Sequence, residues 1–123
     1  MCITNNITGN GQKKLYTETA FKQLMLNKTF IGSDDRISIL ERFAGKSIFV
    51  TKYCEADFNS LFASVQPKKY ELIILEISDN YLLGQIQEFM KFVLKNSSTD
   101  AEFIMGITPL REPPITCTCV ELA

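Results

Sequence analysis

The chain has 123 residues, 46% of them hydrophobic and 22% charged, with a net charge of −1. That length and mix describe one soluble globular domain with a single core, and argue against a disordered chain or a second domain. The near-neutral balance supplies no clustered positive surface for nucleic acid.

Residues 1–11 (MCITNNITGNG) are rich in Asn, Thr and Gly and are expected to form a flexible N-terminal segment ahead of a single domain over 12–123. From Gln12 to Leu26, the positions Leu15, Tyr16, Ala20, Phe21, Leu24 and Met25 recur at helical spacing and predict an amphipathic helix, or two short ones. A link over 27–32 follows. Ser33, Asp34 and Asp35 then offer a capping hydroxyl and first-turn carboxylates to a second helix whose inner face is read as Ile37, Leu40 and Phe43. Gly45 is placed as its left-handed cap, before a β-branched and aromatic strand from Ser47 to Tyr53.

A short helix is expected from Ala56 to Val65, then a polar turn containing Pro67, and a nearly continuous apolar strand from Tyr70 to Ile77. Asp79 or Asn80 can cap a helix reaching Leu94, with Leu82, Leu83, Ile86, Phe89, Met90 and Val93 inward. Two strands close the chain, Glu102–Ile107 and Ile115–Leu122. The seven residues between them are too few for a parallel crossover, which needs roughly a dozen, so the pair is expected to be an antiparallel hairpin. The predicted fold is α/β (α+β), a single two-layer domain with a mixed four-stranded sheet in the order α-α-β-α-β-α-β-β.

The residues offer little chemistry. The chain contains no histidine, which removes the commonest general base and metal ligand near neutral pH. Asp34 and Asp35 read first as helix-start residues. Gly9-Asn10-Gly11-Gln12-Lys13-Lys14 lacks the spacing of a phosphate loop and follows no strand. The lysines are dispersed, and the phenylalanines at helical spacing belong to a core. Cys117 and Cys119, two apart on a strand, read as buried thiols, and too few ligands accompany them for zinc. No catalytic residue, metal or cofactor is therefore assigned. No signal peptide or membrane span is visible, and the default location is the cytoplasm, where the sequons at Asn6, Asn27 and Asn96 carry no meaning.

The element order and several local strings resemble the C-terminal, or activation, domain of the FtsZ and tubulin superfamily. Phe30 to Leu40 (FIGSDDRISIL) looks like that family's synergy loop and following helix, of the form L-I-N-x-D-x-x-D. Ala44 to Val50, Leu72 to Asn80, Leu82 to Val93 and Ala101 to Leu122 look like its later strands, helix and closing segment. The family's glycine-rich GTPase loop, G-G-G-T-G-[ST]-G, is not found. Gly32 and Ile37 stand where the motif has asparagine and its second aspartate, and an apolar side chain cannot polarise a water.

The resemblance implies a non-catalytic protein-interaction module that binds or caps a filament-forming partner, with Gly32, Ser33, Asp34 and Asp35 at the contact. A module with only one of two complementary faces can dock on a polymer end without extending it. The partner expected is a protein or a second copy of the chain, not nucleic acid or membrane. Two alternatives stay open: a receiver-like regulatory domain, suggested by the carboxylate of Glu76 near the end of its strand, and a small-molecule-binding oligomeric domain using Arg111 and Glu112.

Overall fold

A computed structural model of the chain describes residues 11–78, 83–107 and 114–123. It contains five strands and four helices: β1 (Lys13–Tyr16), α1 (Glu18–Leu26), α2 (Ser33–Phe43), β2 (Ile48–Glu55), α3 (Phe58–Ser64), β3 (Leu72–Ile77), α4 (Leu83–Leu94), β4 (Glu102–Ile107) and β5 (Ile115–Leu122). All five strands form one mixed sheet in the order β1-β2-β5-β3-β4. Only β3 and β4 are parallel; β1 on β2, β2 on β5 and β5 on β3 are antiparallel.

Three sequence expectations are corrected. The segment from Gln12 to Leu26 is not one helix, because Lys13–Tyr16 pairs with β2, with Lys13 opposite Thr51 and Tyr16 opposite Ile48. Thr17 then starts α1, its Oγ1 accepting the amide of Ala20 at 3.1 Å. The sheet accordingly has five strands, not four. The last two strands run in opposite directions, as a hairpin would, but β3 lies between them. Chain separation between β4 and β5 bounds the connection and does not oblige the two to be neighbours.

The third correction concerns the layers. The two connections β2-α3-β3 and β3-α4-β4 step the same way across the sheet, and both helices pack on one face. There Phe58, Leu61, Phe89 and Val93 meet Tyr53, Ile73, Leu75, Ile115 and Cys117, as a fixed crossover hand requires. The opposite face would be left bare were it not for α1 and α2, whose Phe21, Met25, Ile39 and Phe43 cover Ile48, Val50, Leu72, Ile74 and Val120. The sheet is thus sandwiched in three layers. Strand β3 is buried at every position, which is why it reads as a nearly continuous apolar run, interrupted by the ion-paired Glu76, and not as an alternation. Each Leu or Ile fully removed from water there contributes roughly 1.5–3 kcal/mol before the entropy of ordering is subtracted.

Gly45 has the expected positive φ of 73°, but as the third residue of a type II turn over Phe43–Lys46 that follows α2, with Ala44 extended at φ −59° and ψ 132° and the amide of Lys46 donating to Phe43 O at 3.1 Å, and not as a Schellman cap on the helix itself. Asp57 caps α3 through its Oδ1 to the amide of Ser60 at 2.7 Å, and this bond holds the carboxyl below its ordinary pKa. The predicted cap of α4 at Asp79 or Asn80 lies outside the described residues.

Candidate functional site

The four residues singled out by the synergy-loop resemblance sit together at the start of α2. Gly32 is its N-cap, without a side-chain bond, and its carbonyl accepts the amide of Arg36 at 2.9 Å. Ser33, Asp34 and Asp35 form the first turn, and all four residues are exposed.

The segment leading into this turn is tied down at several points. Lys28 Nζ meets Glu76 Oε2 at 2.6 Å, with both side chains largely buried. Ile31 is buried, and the Phe30 ring lies on the backbone of Gly106, where an added Cβ would come within 2.6 Å of it. Arg36 folds back so that one guanidinium nitrogen donates to Lys28 O at 3.1 Å and to Ile31 O at 3.0 Å. The exposed turn is therefore presented from a fixed base.

Arg36 also explains a misreading of the helix. The inner face of α2 is Arg36, Ile39, Leu40 and Phe43, whereas Ile37, expected inward, is 52% exposed. An arginine whose polar end binds loop carbonyls can occupy the inner stripe, so the apolar pattern alone placed the stripe wrongly. Arg42, at the other end of α2, bridges Glu71 at 2.9 Å and Glu102 at 3.0 Å, joining the helix to β4 and to the residue preceding β3. No local signal marks that triad, because its members are far apart in sequence.

An apolar groove of about 370 Å³ lies between α1 and α2, reached from Ile37 and running toward the C-terminal end of α2, and none of Gly32–Asp35 lines it. Phe21, Ile37, Leu40, Phe43 and Ile48 line it, and the exposed charges of Glu18, Lys22, Glu41 and Lys46 surround it. Ile37 lies three residues after Asp34 and four after Ser33, so the acidic turn and the groove share one strip of the α2 surface.

A second, polar cleft of about 410 Å³ opens on the other face of the sheet, lined by Gly11, Tyr53, Ser64, Gln66 and Lys68. Behind it Tyr70 donates its hydroxyl to Gln66 O at 2.6 Å and shares a side-chain hydrogen bond with Tyr53. Burial, reinforced by nearby Cys119, raises both phenols above their ordinary pKa. Ser64 Oγ donates to Glu55 at 2.7 Å.

Cys117 and Cys119 are free and buried, as expected, with their sulfurs 3.7 Å apart. Their mutual hydrogen bond and then burial push the Cys117 thiol upward, so it is not an activated nucleophile. Cys54, by contrast, is disulfide-bonded. Among the described residues no group of three His, Cys, Asp or Glu side chains could hold a metal ion, and no helix is long and apolar enough to cross a membrane.

The carboxylate behind the receiver-like reading, Glu76, is buried and paired with Lys28, and the sheet that carries it is mixed, not all-parallel. Arg111 and Glu112, on which the small-molecule alternative leaned, lie outside the described residues. No protein-family model matches the chain, and no curated protein shows significant similarity to it.

Proposed function

We propose that the chain is a non-catalytic interaction module that binds a filament-forming protein of the FtsZ and tubulin kind, through the strip of α2 running from Gly32–Asp35 into the α1–α2 groove. The observation that carries this reading is the joining of a rigidly based, exposed acidic turn to an exposed isoleucine and an apolar groove on one helix face. Pre-organisation of this sort lowers the ordering cost of association. An apolar centre ringed by charges has the anatomy of a protein-contact patch. The order β2-α3-β3-α4-β4-β5 also keeps the β-α-β-α-β-β succession on which the family resemblance rests.

The test is co-sedimentation of the purified chain with GTP-assembled FtsZ or tubulin polymer. The expected result is binding, with a fall in polymer mass at substoichiometric ratios if the module caps an end. Replacing Asp34 and Ile37 together (D34K/I37K) should abolish the effect without unfolding the chain, since both residues are exposed. Absence of any binding or change in assembly with the parent chain refutes the proposal.

A further inference from the structure

The two edges of the sheet are built differently. At one edge β1 is four residues long and carries Lys13 and Lys14, the short and charged design that discourages further pairing. At the other, β4 is six residues long (EFIMGI), and its single charge, Glu102, is already engaged by Arg42. From Phe103 to Ile107 there is no charge and no proline. Among the described residues only β3 pairs with β4.

The backbone of β4 can be oriented from one bond. The amide of Glu102 donates to Glu71 O at 3.2 Å, toward β3. Backbone groups alternate along a strand, so those of Phe103, Met105 and Ile107 point away from the sheet. The side chains of the same three residues share the α3–α4 face, where Phe103 packs on the core but Met105 is 40% and Ile107 55% exposed. A strand without charge from Phe103 to Ile107, with outward backbone groups unpaired among the described residues and two exposed apolar side chains, is complementary to another strand like itself.

We infer that β4 pairs antiparallel with β4 of a second copy of this chain, about a twofold axis at Met105, to make one continuous sheet across the dimer. In that register Met105 stands opposite Met105 and Phe103 opposite Ile107, with every outward backbone group facing a partner. The exposed methionine and isoleucine then cover each other on one face, and Ile104 lies across from Gly106 on the other. The twofold keeps like faces together because the paired positions have the same parity, so no side chain is forced to the wrong side of the sheet. A single strand pair buries less than a standard interface of about 1,600 Å², so the dimer is weak and concentration-dependent. This surface is separate from the α2 strip, and either can fail without the other.

Sedimentation velocity of the full chain over rising concentration tests the inference. The expected result is a monomer–dimer equilibrium, with the sedimentation coefficient rising with concentration. Met105→Lys, at an exposed position, should leave the thermal midpoint unchanged and abolish the dimer by setting two lysines face to face. Met105→Cys should form an intermolecular disulfide under mild oxidation, since hydrogen-bonded antiparallel partners lie about 5.5 Å apart at Cα. Ile104→Cys should not. A strictly monomeric parent chain, or a dimer that survives M105K, overturns the inference, and so does cross-linking at Ile104→Cys in place of Met105→Cys.

Discussion

Substitution of Gly106 by alanine isolates the contact that anchors the candidate site. A Cβ at this position would stand 2.6 Å from two atoms of the Phe30 ring and 2.8 Å from a third, against an ordinary contact of 3.4–4 Å. The ring must retreat by about 1 Å, and it belongs to the segment that also carries Lys28, Ile31 and the turn at Gly32, so the displacement strains more than one contact. Overpacking of this kind costs about 1–3 kcal/mol, reduced by the roughly 0.4–1 kcal/mol that alanine gives back by restricting the unfolded chain. A net loss of about 1–2 kcal/mol should lower the thermal midpoint by roughly 3–10 °C for a domain of this length. Urea and thermal unfolding of the parent, G106A, F30A and the double variant measure it. With the ring removed the alanine has room, so the cycle should give a coupling of at least about 1 kcal/mol. The reasoning fails if G106A is as stable as the parent, or if its cost is the same in the Phe30→Ala background.

Other outcomes follow from the buried charges and titrating groups. Lys28→Met should destabilise by roughly 2–4 kcal/mol by leaving Glu76 without its lysine, and K28M/E76Q should recover part of that in the same unfolding assay. Arg42→Met should cost about 1–3 kcal/mol, chiefly through the largely buried Glu71, while Glu102→Gln, at the more exposed end of the triad, should cost under about 1 kcal/mol. Tyr53 and Tyr70 have folded pKa values above the ordinary 10.0, so above that pH the unfolded chain releases protons that the folded one retains. Stability is therefore full below about pH 10 and falls as pH rises beyond it, and tyrosinate absorbance from these two residues should appear at higher pH in the folded chain than in the unfolded one. Cys117 and Cys119 should resist alkylation in the native chain and react once it is unfolded, as read by peptide mapping.

Much of the local structure was legible in the residues. β4 and β5 begin and end where their composition places them, Gly45 takes its expected positive φ after α2, and the two cysteines of β5 share a face. These depend on backbone preference and on the period of two along a strand, which act over a few residues. The misreadings have two kinds of cause, distant pairing and a side-chain bond. Leu15 and Tyr16 fit a helical period, yet the segment that carries them, Lys13–Tyr16, pairs with β2, some thirty-five residues away. Ile37 fits an inner stripe that Arg36 occupies, because its guanidinium turns back onto the carbonyls of Lys28 and Ile31 in the loop before the helix, a side-chain bond that an apolar pattern does not record. The nearly continuous apolar run of β3 did carry the signal of a strand covered on both faces, and the two-layer expectation passed over it.

The candidate site divides along the same line. Local chemistry placed Ser33, Asp34 and Asp35 at the start of a helix through first-turn carboxylates, but the cap it assigned to the Ser33 hydroxyl falls one residue earlier, on Gly32, which makes no side-chain bond. Only the tertiary structure set β5 between β2 and β3, laid the α1–α2 groove along the same helix, and left β4 at the edge of the sheet among the described residues. Those features are decided by which distant segments meet, and the pairing of distant strands depends on burying the faces of the whole sheet at once, a condition no short window of sequence contains.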